Sequence, residues 1–153
     1  KASYLYLSMA SWCESKKLNG AAEFYYLHAD EERVHMLKIF RYINEMGGYA
    51  IAPEIKDVET KFKDIKDVVE QSLQSERSVT NSVHKLTEIA REEKDYATYN
   101  FLQFYVDEQR EEEVLFQNVL DKIELIGIAG QGLYYIDKEF ENFSAAKQKN
   151  TGN

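Results

Sequence analysis

One proline and seven glycines in 153 residues leave few points at which regular backbone must break. A single cysteine excludes an intrachain disulfide. That residue, Cys13, lies on an apolar helix face near Met9 and reads as a small buried hydrophobe, which suits a reducing cytoplasm. No run is long and apolar enough to span a membrane. No strand-like alternation of useful length occurs, and no repeat of about 20–50 residues. Cys-rich zinc patterns, Walker loops and Gly-rich dinucleotide turns are also missing. Positive charge is scarce: 19 Lys and Arg stand against 27 Asp and Glu, for a formal charge of −8. That balance argues against nucleic acid and anionic membranes as partners and is compatible with attracting cations.

What remains is helix. The length suits one domain, 1–153, with a sizeable core. Leu5, Tyr6, Met9, Trp12 and Cys13 recur at helical spacing, giving a helix over 1–17 that begins without an N-cap. Leu18-Asn19-Gly20 reads as a turn, and a second helix runs from about Ala21 to Met46, stopped by Gly47-Gly48. Residues 49–64, with Pro53 and no sustained period, read as a long crossover. A third helix spans about 65–92, with Val68, Val69, Leu73, Val79, Val83, Leu86 and Ile89 in its stripe. A fourth spans about 96–126. A short fifth is expected at 133–143, and the polar tail 147–153 is expected to be disordered. One long connection between two short ones implies an all-α, up-down, down-up four-helix bundle.

Three acidic residues occupy places where the heptad pattern calls for a hydrophobe. Glu32 lies midway between Tyr25 and Ile39, Glu76 between Val69 and Val83, and Glu112 between Tyr105 and Val119. Residues seven apart share nearly one helix face, so all three should project inward. His35 is one turn beyond Glu32, on the same side. Glu108 and Gln109 precede Glu112 by one turn. A single inward glutamate can lie at the stripe edge with its head in water. Three, on three long helices, would cost several kcal/mol per ion if brought together uncompensated. Divalent cations remove that cost, and carboxylate oxygen with one imidazole suits iron, manganese or zinc. His28, one heptad before His35, reads as a core histidine or a support to the ligands. His84 is expected at the stripe edge or in solvent.

Several segments together resemble the bacterial non-haem ferritins. They are Tyr-Leu-Ser-Met-Ala-Ser-Trp-Cys at 6–13, Glu-Glu-Arg-Val-His at 31–35 and Tyr-Asn-Phe-Leu-Gln-Phe-Tyr-Val at 99–106. The series continues with Glu-Gln-Arg-Glu-Glu-Glu at 108–113 and Gly-Leu-Tyr-Tyr-Ile-Asp-Lys-Glu at 132–139. The resemblance implies a ferritin-like bundle and a ferroxidase centre. Glu32 would bridge two irons, His35 would complete the first site, and Glu76 and Glu112 the second, with Gln109 beside them. Tyr6 matches a tyrosine placed next to the centre as an electron donor. Glu31, Glu108 and Glu111, with Glu112, match a third iron site. Bacterioferritins carry a second Glu-x-x-His on the fourth helix and a haem-ligating methionine just after the bridging glutamate. Here 109–112 read Gln-Arg-Glu-Glu and Arg33 stands at the methionine position, so no haem is expected. Mini-ferritins that protect DNA lack a fifth helix and fit poorly.

The resemblance further implies oxidation of Fe(II) by dioxygen or hydrogen peroxide, and storage of ferric mineral in a cytoplasmic homo-oligomeric shell of 24 subunits. The family's first helix also supplies a glutamate that would fall two residues before Lys1, so a longer native protein is expected. A non-storing di-iron oxidase or peroxidase, and a redox-inactive structural shell subunit, are the alternatives on the same residues.

Overall fold

The computed structural model describes residues 1–151, with side chains through 146. Five helices and no strand occupy the described residues: α1 Ala2–Ser15, α2 Asn19–Glu45, α3 Ile65–Glu92, α4 Tyr96–Ile126 and α5 Gln131–Thr151. They group into two compact units, Lys1–Phe62 with the chain from Ala129 onward, and Lys63–Ile128. Among the described residues no helix is long and apolar enough to cross a membrane.

In the first unit α1 and α2 form a hairpin. The turn is a Schellman motif: Leu18 N–H donates to the Cys13 carbonyl and Lys17 N–H to that of Glu14. Lys17 takes the left-handed conformation this requires, φ 64°. Tyr6, Met9 and Cys13 of α1, Phe24, Tyr25 and His28 of α2, and Ile136 and Phe140 of α5 are all buried, with the Tyr6 ring against Tyr25 and His28 and the Phe140 ring against Phe24 and Tyr25. Each large apolar side chain buried this way contributes ~2 kcal/mol. Burial also pushes the Cys13 thiol up to about 12, with the Asp137 charge adding to the effect. The connection after α2 has no helix or strand over residues 48–62 and ends in Phe62, whose ring meets Trp12 edge-on at 6.1 Å.

Docking of α5 explains why α2 begins at Asn19 rather than near Ala21. Leu18 at the N-cap offers no side-chain acceptor. Instead, Asp137 Oδ1 on α5 accepts the Ala21 N–H at 2.9 Å, satisfying a helix-end donor from outside the helix. Gly20 therefore belongs to the first turn, where α5 passes so close that a Cβ would lie 2.2 Å from the Asp137 carbonyl oxygen. α5 itself is longer than the expected 133–143, because Ala145-Ala146-Lys147-Gln148-Lys149 has no apolar stripe but consists of strong helix formers. Residues 147–151, expected to be disordered, continue the helix; 152 and 153 lie outside the described residues.

The second unit is the α3–α4 hairpin, and its helix limits match those expected from the pattern. Asp64 caps α3 by accepting the Asp67 N–H at 2.9 Å. Asp95 caps α4 by accepting the Thr98 hydroxyl and the Thr98 N–H, in that order the main causes holding its carboxyl below the ordinary 3.8. A second Schellman motif closes α3, with Lys94 left-handed at φ 58°. Val68, Val69, Phe116 and Val119 are fully buried, and Val83, Ala90, Leu102 and Tyr105 form a further cluster. The stripe loses its cover toward the end of α3, where Leu86 is 50 % exposed and Ile89 likewise open. Ile39, past the middle of α2, is also exposed.

Two stability predictions follow from these ends. Asp137→Ala should destabilise the protein by about 1 kcal/mol, with Asp137→Asn milder; denaturant melts compared with the parent chain will show it. Lys94→Gly should stabilise by ~0.5–1 kcal/mol, since glycine relieves a left-handed strain of about 1–2 kcal/mol against its own entropic penalty; a lower denaturation midpoint would contradict the assigned turn.

Candidate metal centre

The first unit carries one half of the expected residues on adjacent turns of α2. His35 Nδ1 lies 3.5 Å from Glu32 Oε1, and the two side chains are 19 % and 17 % exposed. Neither is sealed in the core, so both remain reachable by an ion while held against the helix. One heptad earlier His28 is buried, as its core reading requires. Its Nδ1 lies 3.2 Å from the Phe24 carbonyl oxygen. A carbonyl only accepts, so Nδ1 carries a proton in this contact. Glu31 approaches the same Nδ1 at 3.9 Å and is partly exposed. Tyr6 is fully buried and meets His28 edge-on, ring centroids 5.7 Å apart. Exposed His84 has no place in this group.

The second unit carries the other half. Glu76, in the middle of α3, is 1 % exposed. Its Oε2 accepts from Gln109 Nε2 of α4 at 2.8 Å, and the same amide nitrogen lies 3.2 Å from the Glu76 backbone oxygen. Gln109 is itself buried. The Gln109 amide satisfies hydrogen bonding at this oxygen without supplying charge. Glu112 follows Gln109 by one turn and is half-buried, as is Glu108. Glu111 differs: it is 72 % exposed and only 3.9 Å from the equally exposed Arg110.

A polar clasp next to this pair was not expected from the sequence. Glu113 accepts the Thr80 hydroxyl across the hairpin at 2.5 Å and lies 3.7 Å from Arg77 Nε. Arg77 also reaches Gln117. The clasp fixes α4 against α3 one turn from Gln109. No local pattern announces it, because Thr80 and Glu113 are 33 residues apart and neither interrupts an apolar stripe.

The ferritin-like domain family model matches residues 1–126. The bacterial non-heme ferritin of Campylobacter jejuni is 44 % identical over 148 residues, covering 97 % of this chain and 89 % of that protein. A probable bacterial non-heme ferritin-like protein of Haemophilus influenzae is 43 % identical over 143 residues, 94 % of this chain and 87 % of its own length. Among solved structures, an open-pore ferritin from the hyperthermophilic archaeon Archaeoglobus fulgidus superposes with a TM-score of 0.88 at 37 % identity, covering 92 % of this chain and 86 % of that one.

The Glu76–Gln109 bond should be measurable in the metal-free protein. Gln109→Leu removes the donor and should destabilise by about 2 kcal/mol, the range for hydrogen bonds to charged groups. Adding Glu76→Leu should recover much of that loss, because the buried carboxylate is then gone. A double-mutant cycle on denaturant melts checks it; strict additivity would show the bond to be energetically idle.

Proposed function

The chain belongs to the ferritin family, with that family's four-helix bundle and C-terminal helix, and on this premise we propose how it handles iron. As a ferritin it is an iron-storage protein. In the proposed chemistry it is also a ferroxidase, with Fe(II) as substrate and dioxygen or hydrogen peroxide as oxidant. Glu32 bridges two irons. His35 completes one position, Glu76 and Glu112 the other, and Gln109 stands beside the second. Tyr6 is the neighbouring electron donor. Glu31, Glu108, Glu111 and Glu112 form a third, more open iron site. Haem has no part in this reading, given Arg33. The working protein is a cytoplasmic homo-oligomeric shell of 24 chains, each contributing one ferritin-like domain, with mineral in its cavity.

The buried Glu76–Gln109 pair carries this reading, because a carboxylate kept from water has a desolvation cost that a bound cation offsets. Hard anionic oxygen binds Fe(III) more tightly than Fe(II), which drives electron loss. Two irons supply two electrons, so dioxygen with two protons becomes hydrogen peroxide, or hydrogen peroxide with two protons becomes two waters. The exposure of Glu111 supports a role in receiving or passing on iron rather than in the oxidation itself.

Aerobic Fe(II) addition, followed by ferric absorbance, tests the centre. Loss even of outer partners of metal sites commonly lowers activity ~10–100-fold, so removing two direct ligands with Glu32→Ala and His35→Ala should slow initial oxidation by at least about a hundredfold. An unchanged rate would overturn the assignment. Size-exclusion chromatography of the parent separates storage from the alternative: a large particle that retains ferric iron supports the shell, and a monomer or dimer supports a non-storing oxidase.

A further inference from the structure

Two fully buried tyrosines touch in the first unit. Tyr6 of α1 and Tyr25 of α2 are each 0 % exposed, with ring centroids 5.8 Å apart and planes inclined by 32°. Phe24 meets Tyr25 edge-on at 5.2 Å, and Phe140 of α5 meets it at 5.8 Å. Phe24 also lies 4.0 Å from the His28 ring, which in turn meets Tyr6. A phenylalanine at position 25 would fill nearly the same volume without burying a hydroxyl that must find a partner. The difference between the two side chains is chemical: a phenol loses an electron and a proton far more readily than a benzene ring. The walls here are phenylalanine and the enclosed pair is phenolic.

We propose that Tyr25 is a second one-electron donor for dioxygen reduction, acting through Tyr6. This rests on the ferroxidase reading above. Two Fe(II) supply two electrons, and water formation from dioxygen requires four. Tyr6 gives one electron and releases its phenolic proton, becoming a neutral radical. Tyr25 then passes an electron across the ring contact and releases its own proton, while the Tyr6 oxygen regains one. Tyr6 can then donate again. The sum is one dioxygen, two Fe(II), two phenols and two protons giving two waters, two Fe(III) and two tyrosyl radicals. Each radical is later reduced by a further Fe(II) with uptake of one proton. Tyr25 works at a distance from the iron, and its effect is to keep partly reduced oxygen from leaving as peroxide.

The test is rapid-freeze electron paramagnetic resonance with parallel peroxide assay, after two Fe(II) per chain are mixed with dioxygen. The parent, Tyr25→Phe and Tyr6→Phe are compared, each checked for assembly by size exclusion. The parent should show a dipolar-broadened tyrosyl signal, because two radicals whose ring centroids lie 5.8 Å apart couple. Tyr25→Phe should show a single, narrow tyrosyl spectrum and release at least twofold more hydrogen peroxide per iron oxidised. Tyr6→Phe should show no tyrosyl signal. Should Tyr25→Phe not assemble, uniform 3-fluorotyrosine labelling of the parent keeps both phenols and should give a fluorine-split, dipolar-broadened signal; a narrow single-radical spectrum would overturn the relay. An unchanged spectrum and peroxide yield in Tyr25→Phe, with normal iron oxidation in the parent, overturns the relay alone. A persistent tyrosyl signal in Tyr6→Phe overturns the proposed order of transfer. A parent that oxidises no Fe(II) overturns the ferroxidase reading and the relay with it.

Discussion

A carboxylate withdrawn from water must be protonated, hydrogen-bonded or bound to a cation. Glu76 meets that constraint in the middle of α3, where the Gln109 amide holds one of its oxygens. The rest of the second unit keeps this contact in register. The Asp64 and Asp95 caps set where α3 and α4 begin, and the Thr80–Glu113 bond ties the two helices one turn away. Val69 and Phe116, one heptad from Glu76 and Gln109 on their helices, are fully buried. A core built only for stability would place a hydrophobe at position 76, since replacing a buried charged group by packed apolar residues is often neutral or stabilising. The proposed cation-handling role would account for an acid at this position.

The first unit treats its polar residues differently. Glu32 and His35 are half-buried, on the stretch of α2 that follows the packed aromatic cluster. That cluster is pinned by α5, through the Asp137 bond to the start of α2 and the close approach at Gly20. α5 therefore supports the turn from which the helix carrying Glu32 and His35 extends. His28 stands at the boundary, one nitrogen committed to the Phe24 carbonyl and its ring against Tyr6.

Much of this was legible in the sequence, and the reasons are specific. The α3 limits could be read because its apolar stripe, from Val68 to Ile89, is long. The inward direction of Glu76 could be read because Val69 and Val83, seven residues either side, are both buried. The stripe was a poorer guide at Ile39, Leu86 and Ile89, since periodicity identifies a face without showing what covers it. Gly20 looked like a turn residue, and only the passage of α5 explains a glycine inside a helix there. The end of α5 was missed because its helix rests on intrinsic preference rather than on an apolar face. The Glu113 clasp depends on a tertiary contact that no local pattern encodes.

The most direct test of the account is a crystal of the assembled protein soaked with Fe(II) without oxygen, or with redox-inert Zn(II), and measured at the metal's absorption edge. Two ions should lie about 3.5–4 Å apart, sharing Glu32, with His35 on one and Glu76 and Glu112 on the other. Saturating metal with no ion at either Glu32 or Glu76 would contradict it.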